Sequence, residues 1–193
     1  MTPFVLDHLE KVVRDYLDRD DLADGVSLVH QRSKGRGGIL RLSIGEDRTV
    51  IIKTWRLNSD RDRLKRLAWM SNTRREWRIH RYLHDSGVRV PEAFAYRAGQ
   101  GERGPFELIV VEDLGPLTDA LSYLKSCLGA GDERGAGRLE DEVIENTARM
   151  VRHRTLDIDN KLNNFGITAS GELYRLDLEC ARRWRFRPLP TST

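Results

Sequence analysis

Long apolar runs are missing from this sequence. The longest uninterrupted aliphatic segment is Leu108–Val111, whereas a membrane-spanning helix needs about 20 apolar residues. We therefore predict no spanning helix. The first residues carry acidic side chains early and lack a long apolar segment, so we expect no secretory signal.

The sequence also has few cysteines and a small net charge. Cys127 and Cys180 are the only cysteines among 193 residues, which excludes a disulfide framework and a structural zinc site and indicates a reducing compartment, the cytoplasm. Lys and Arg number 33 against 30 Asp and Glu, so the net charge of +3 does not mark a nucleic-acid-binding protein. Without HExxH or GxxxxGKS/T motifs, zincin-type metalloproteases and P-loop proteins lose their main support.

The order of apolar patterns predicts an α+β protein. A Thr2–Pro3 cap followed by apolar residues at helical spacing predicts a helix over 3–19. The strand-like segments that follow are Val26–His30, Ile39–Ile44, Thr49–Trp55, Pro91–Tyr96 and Phe106–Val111. Because strands dominate the first half and helices the second, we expect a β-rich N-terminal lobe over 1–113 and a short, mostly helical C-terminal lobe over 114–193.

Glycine divides the second half. Leu117–Leu128 has a helical composition, and Leu139–Arg154 carries apolar residues at helical spacing. The four glycines within Gly129–Gly137 predict a mobile loop between these two helices. Farther on, the turn Ser170–Gly171 between two short apolar segments predicts a β-hairpin.

Two charged residues fall on predicted apolar faces. Strand alternation places Lys53 on the face of Ile51, and helical spacing places Glu76 on the face of Ile79. An unpaired buried ammonium is unfavourable, so Lys53 and Glu76 suit each other as partners. Two alternatives stay open: a water-facing lysine on an edge strand, and a local pairing of Glu76 within its own helix.

A polar segment after the last helix carries residue types suited to phosphoryl transfer. Asp159 can accept a hydroxyl proton, Lys161 can neutralise a phosphate, and Asn164 can bind Mg²⁺ through its carbonyl oxygen. Asp177, a second candidate Mg²⁺ ligand, follows 13 residues after Asn164, and the predicted hairpin between them would bring the two together. The alternative is a solvated polar turn and a surface acid.

These residues carry a resemblance to a known superfamily. The chain resembles protein-kinase-like proteins, and most of all the bacterial lipopolysaccharide kinase family, which phosphorylates heptose or Kdo sugars of the lipopolysaccharide core. The supporting stretches are Ile51–Arg56, Arg74–Arg78, Gly87–Tyr96 and Leu108–Leu114. The resemblance runs from about residue 35 to about residue 180, and it implies a two-lobed protein-kinase-like fold.

The resemblance also implies a nucleotide site for ATP and Mg²⁺. Lys53 would hold the α- and β-phosphates and pair with Glu76. The hinge, from Glu112 to Leu114, would contact the adenine through its backbone. The loop over the phosphates would be formed by Gly35, Gly37 and Gly38.

The same resemblance assigns the catalytic residues. Asp159 would be the catalytic base, with Lys161 beside it, and Asn164 and Asp177 would hold Mg²⁺. The substrate would be a sugar or glycolipid, such as the lipopolysaccharide core.

Three departures from the usual kinase pattern qualify this interpretation. Asp157–Ile158 replaces the His-Arg that usually precedes the catalytic Asp, and Leu178–Glu179 replaces Phe-Gly after Asp177. Only 16 of the 193 residues follow Asp177, too few for a peptide-docking segment. A compact sugar kinase is therefore favoured over a protein kinase. A non-catalytic pseudokinase or nucleotide-binding regulatory module, and an aminoglycoside- or choline-type phosphotransferase, stay as alternatives.

Basic residues cluster in two segments. Trp55–Arg81 contains nine basic and three acidic residues, a net charge of +6, and Arg182–Arg187 contains four arginines around two aromatic residues. These clusters suit peripheral contact with anionic lipid at the inner face of the cytoplasmic membrane. Nucleic-acid binding would use the same residue types, but we expect no specific nucleic-acid partner. The third interpretation is a solvated helix face.

Overall fold

The computed structural model describes residues 2–31, 37–44, 48–68 and 70–184. It divides the chain into two compact units, one of Met1–Arg81 with Pro91–Gly115, the other of Tyr82–Val90 with Pro116–Thr193. The sequence predicted one boundary, near residue 113. The segment Tyr82–Val90 lies before that boundary but belongs to the second unit. Within the described ranges, no helix combines the length and apolar character needed to cross a membrane.

A five-stranded antiparallel sheet forms the centre of the first unit. Its strands are β1 (Val26–Gln31), β2 (Gly37–Ile44), β3 (Arg48–Arg56), β4 (Ala93–Gly101) and β5 (Gly104–Glu112). They are arranged in the order β1-β2-β3-β5-β4. The helices are α1 (Pro3–Arg19), α2 (Asp60–Leu67) and α3 (Asn72–Asp85), whose last four residues belong to the second unit.

Helix α1 covers one face of this sheet. Thr2 caps its first turn, Pro3 occupies the first helical position, and Asp20 ends it in the left-handed conformation at φ 55°. The predicted helix over 3–19 is therefore confirmed. Its buried side chains, Leu9, Val13, Tyr16 and Leu17, form one apolar core with residues of β2, β3 and β5, including Leu40, Ile52 and Leu108.

The end of α1 is fixed to the turn between β4 and β5. The Asp18 carboxylate accepts the backbone N–H groups of Glu102 and Arg103 at 2.8 and 3.1 Å. Burial would raise the pKa of Asp18, but these two donors and the nearby Arg56 outweigh it and lower that pKa. The helix is thus anchored by hydrogen bonds at its end as well as by its apolar face.

The opposite face of the sheet packs against α3. Alternation along β3 and β5 brings Ile51, Trp55, Ile109 and Val111 to this face, where Trp77 of α3 joins them. Because both faces are covered, Phe106–Val111 of β5 is buried without interruption. The strand with the longest apolar run in the sequence is therefore a central strand.

The second unit combines two helices with short strands. Its elements are β6 (Leu117–Asp119), α4 (Ala120–Ala130), α5 (Glu133–Arg152), β7 (Thr155–Asp157), β8 (Phe165–Thr168), β9 (Leu173–Arg175) and β10 (Ala181–Arg183). A three-stranded sheet has the order β6-β8-β9, and β7 pairs with β10 as a separate ribbon. The predicted hairpin around Ser170–Gly171 is confirmed as β8–β9.

Two predictions for the second unit are wrong. Leu117–Asp119 is a strand rather than the start of a helix, because it pairs with Gly166–Thr168 of β8. Gly129–Gly137 is not a loop throughout, because α5 begins at Glu133. The Asp132 carboxylate caps this helix by accepting the Gly135 N–H at 2.9 Å, and a Cβ at Gly135 would collide with that carboxylate. Gly135 therefore lies in the first turn of α5, where the absence of a Cβ leaves room for the Asp132 cap.

The packing of α1 yields a stability prediction. Replacing the fully buried Leu9 with Ala should lower the free energy of unfolding by about 2–5 kcal/mol, because the core beneath α1 loses apolar contacts and gains a cavity. Urea denaturation measures the loss. Phe4, on the same helix but 83% exposed, is the control, and Phe4→Ala should change stability by less than about 0.5 kcal/mol. Equal effects of the two substitutions would contradict the packing.

Candidate active site

Lys53 lies inside the first unit, on the face of the sheet that meets α3. It is opposite Ile39 of β2 and Ile109 of β5. Its Nζ lies 2.8 Å from Oε1 of Glu76, with 9% of the Lys53 side chain and none of the Glu76 side chain exposed. The predicted pairing of Lys53 with Glu76 is confirmed, and the alternative of a water-facing lysine is wrong.

The charge of Glu76 is maintained by its neighbours. Burial would raise the pKa of this carboxyl, but the Lys53 ammonium and the His80 ring outweigh it and lower the pKa to about 2. His80 Nδ1 lies 3.2 Å from the Pro91 carbonyl, to which only an N–H can donate, and its Nε2 lies 3.7 Å from Glu76 Oε1. Burial lowers the pKa of His80, so Lys53 is the main charge partner of Glu76.

The glycines assigned to the phosphate loop lie partly in a strand. Gly37 and Gly38 belong to β2 and pair with Trp55 and Thr54, so they lie in a strand rather than in a loop. A Cβ at Gly37, where φ is +127°, would collide with the backbone carbonyl of Thr54. The close approach of β2 to β3 therefore favours glycine at position 37. Gly35 lies outside the described residues.

The predicted hinge begins at Glu112, the last residue of β5. Glu112 donates its backbone N–H to the Glu92 carbonyl at 2.8 Å, and its Oε2 accepts the Glu92 N–H at 3.2 Å. Between Glu112 and Leu114, the Asp113 carboxylate binds the Arg41 guanidinium at 2.7 and 2.8 Å. Burial would raise the pKa of Asp113, but Arg41 and other hydrogen bonds lower it. Sequence reasoning missed this clamp.

In the second unit, Asp159, Lys161 and Asn164 form one polar cluster. Lys161 Nζ lies 3.0 Å from Asp159 Oδ2, and Asn164 Nδ2 donates to the Asp159 backbone carbonyl at 2.7 Å. Hydrogen bonds from Lys161 and Asn164 lower the pKa of Asp159, and the same ion pair raises the pKa of Lys161. Asp159 is thus an ionised and partly exposed carboxylate.

The two candidate Mg²⁺ ligands lie at the open end of the β8–β9 hairpin. Leu176 donates its N–H to the Asn164 carbonyl at 2.8 Å, which fixes the segment before Asp177 beside Asn164. Asp177 Oδ1 accepts the Glu179 N–H at 2.9 Å. Across the described ranges, no group of three or more His, Cys, Asp or Glu is arranged to hold a metal. An amide and a carboxylate nevertheless fit Mg²⁺ that shares its remaining positions with phosphates and water.

Two residues near this cluster were missed as site residues. Asp157, noted only as a departure from the kinase pattern, forms a buried ion pair with Arg175 at 2.7 Å. Arg175 is fully buried. The sequence signal was the charged Arg175 between the apolar Leu173 and Leu176, but its partner lies 18 positions away.

The antiparallel sheet with its buried lysine–glutamate pair, followed by the polar loop and hairpin, defines a protein-kinase-like fold. The sequence matches the lipopolysaccharide kinase (Kdo/WaaP) family over residues 29–184. The chain belongs to this family.

The solved structure of WaaP in complex with acyl carrier protein shares the fold, with a TM-score of 0.59 at 21% sequence identity. The match covers 83% of this chain and 65% of that chain, so this chain spans about two thirds of the length of that WaaP. No curated protein matches the sequence significantly.

The lowered pKa of Glu76 predicts a pH dependence of stability. Because the pKa falls from its usual 4.5 to about 2 on folding, the stabilisation by this carboxylate is complete above about pH 4.5 and is lost as the pH falls toward about 2. Glu76→Gln should cost about 3–5 kcal/mol at neutral pH, since it removes the carboxylate that faces the buried Lys53 ammonium. The difference from wild type should shrink at about pH 3.

Urea denaturation at about pH 6 and about pH 3 measures this difference. The matched control is Glu140→Gln, at an exposed position of α5, which should differ little from wild type at either pH. A difference between Glu76→Gln and wild type that stays constant between the two pH values would contradict the assigned pKa.

Proposed function

We propose that this chain is an ATP- and Mg²⁺-dependent phosphotransferase that transfers the γ-phosphoryl group to a sugar hydroxyl of a lipopolysaccharide-core glycolipid. The observation that carries the proposal is the buried Lys53–Glu76 pair in a member of the lipopolysaccharide kinase family. A buried ammonium held by a carboxylate is a fixed positive charge, and a phosphate needs such a partner.

In the first unit, each residue takes a nucleotide-binding role. Lys53 binds the α- and β-phosphates, and Glu76 holds its ammonium in place. Backbone groups of Glu112 and Leu114 bind the adenine, with the segment between them held by Arg41. Gly37 and Gly38 let backbone approach the phosphates, together with Gly35.

In the second unit, Asp159 orients the sugar hydroxyl and accepts its proton. Its low pKa keeps it ionised at neutral pH, which suits a reaction that depends more on positioning and charge than on a strong base. Lys161 neutralises charge on the transferred phosphoryl group. Asn164 and Asp177 would hold Mg²⁺, which supplies positive charge to the phosphate oxygens when bound.

Asp159→Asn provides the direct test of this assignment. The substitution keeps the size of the side chain but removes the proton acceptor, so phosphate transfer should fall about 100- to 10,000-fold. ATP affinity should change by less than about threefold, because the nucleotide is held by other groups. Transfer from labelled ATP to core oligosaccharides and a nucleotide-dependent thermal shift measure the two quantities.

The control is Asp141→Asn, at an exposed position of α5, which should transfer phosphate at the wild-type rate. Unchanged transfer by Asp159→Asn would sink the base assignment. A wild-type chain that binds ATP and transfers no phosphate would support the regulatory-module alternative instead.

We also propose peripheral contact with anionic membrane through α2. This helix has no buried residue, and it exposes Leu64 by 64% and Leu67 by 75% beside the basic residues Arg61 and Lys65. Apolar side chains among cations suit the headgroup region of a membrane. In the second unit, Arg182 and Arg183 of the second basic cluster are exposed, whereas residues 185–187 of that cluster lie outside the described residues.

Sedimentation with vesicles of phosphatidylglycerol and phosphatidylcholine tests this contact. Binding should weaken as salt rises, and Leu64→Asp with Leu67→Asp should abolish most of it. Leu128→Asp is a matched control, because this leucine is 65% exposed on α4. Equal loss for Leu128→Asp, or binding that ignores salt and lipid charge, would contradict the proposal.

A further inference from the structure

The ion pair between Asp157 and Arg175 is buried in the second unit. The Arg175 side chain is fully buried, and 2% of the Asp157 side chain is exposed. Arg175 Nη2 and Nε donate to Asp157 Oδ2 at 2.7 and 3.2 Å. A buried pair gains little net stability over an apolar pair of the same size, so its presence calls for a further role.

The other contacts of this pair lead to the loop that contains Asp159. Asp157 Oδ1 accepts the backbone N–H of Asp159 at 3.0 Å. Arg175 Nη1 donates to Asn160 Oδ1 at 2.7 Å. The pair therefore holds the main chain of Asp159 and the side chain of the next residue.

The carbonyl side of Asp159 is held as well. It accepts the Lys161 N–H at 3.0 Å and Asn164 Nδ2 at 2.7 Å. With Asp157 on the N–H and these donors on the C=O, both backbone groups of Asp159 are satisfied within the loop. The direction of its side chain is thereby restricted.

Arg175 itself is held by its surroundings. It pairs with Phe165 across the hairpin, and its guanidinium carbon lies 4.7 Å from the centre of the Phe165 ring. Its backbone N–H donates to the Arg89 carbonyl at 3.0 Å. The guanidinium is thus a rigid support for the loop, located two residues before Asp177.

We propose that Asp157 and Arg175 are positioning residues that hold Asp159 ready to receive the acceptor hydroxyl, in place of the His-Arg that usually precedes the catalytic Asp. The inference rests on the proposed phosphotransferase function. Asp157 Oδ1 holds the Asp159 backbone by accepting its N–H, and Arg175 fixes the Asp157 carboxylate through Oδ2.

Two double variants test this role without leaving a buried charge. Asp157→Leu with Arg175→Met replaces the pair by apolar side chains and removes the acceptor of the Asp159 N–H. Asp157→Asn with Arg175→Met also removes both charges but keeps an oxygen at that position. The two variants therefore differ at the one hydrogen bond in question.

The Leu-containing variant should lose about 100-fold in kcat, with KM for ATP within about twofold of wild type. The kcat of the Asn-containing variant should be at least about tenfold higher than that of the Leu-containing variant. Amide hydrogen exchange at Asp159 should be fast in the Leu-containing variant and close to wild type in the Asn-containing variant. Leu139→Ala, which removes apolar packing of α5, is the control for lowered stability and should leave both quantities near wild type.

Wild-type kcat and wild-type exchange protection in the Leu-containing variant would overturn the inference. The exchange measurement is independent of catalysis. A wild-type chain that transfers no phosphate would therefore refute the proposed function, while the exchange rates would still decide whether this pair holds the Asp159 backbone.

Discussion

Lys53 places an ammonium inside the first unit, where only 9% of its side chain reaches solvent. Such a charge is unfavourable unless a carboxylate meets it, so α3 must present Glu76 to the same face of the sheet. That requirement leaves the other face for α1, whose Leu9 and Leu17 complete the larger core. Helix α1 precedes the region that matches the family, 29–184, yet it belongs to the fold.

In the second unit, the corresponding requirement is to position a partly exposed carboxylate, that of Asp159. Asp159 has no core to restrict it, so its backbone is held by neighbours on both sides, Asp157 and Asn164. Asn164 has two roles. Its side-chain amide donates to the Asp159 carbonyl, and its backbone carbonyl accepts the Leu176 N–H and so positions the segment before Asp177. Chemistry that relies on positioning and charge benefits from this rigidity more than from a strong base.

Local patterns in the sequence were sufficient for most strands, for α1 and for the Lys53–Glu76 pair, because each depends on alternation or helical spacing. The start of α5 was missed, since four glycines outweighed the capping signal of Asp132. Gly37 was assigned to the phosphate loop and not to a strand, because its close approach to Thr54 depends on strand pairing. Arg175 could not be matched to Asp157 before the hairpin and the β7 strand were placed in three dimensions.

The central claim is that the buried ammonium of Lys53 binds nucleotide phosphate. Calorimetric titration of ATP with Mg²⁺ into wild type and Lys53→Ala tests it most directly, with Lys11→Ala, an exposed position of α1, as the control. The account predicts saturable binding to wild type and to Lys11→Ala, and affinity at least about tenfold weaker in Lys53→Ala. Equal affinity of Lys53→Ala and wild type, or no binding to wild type, would contradict it.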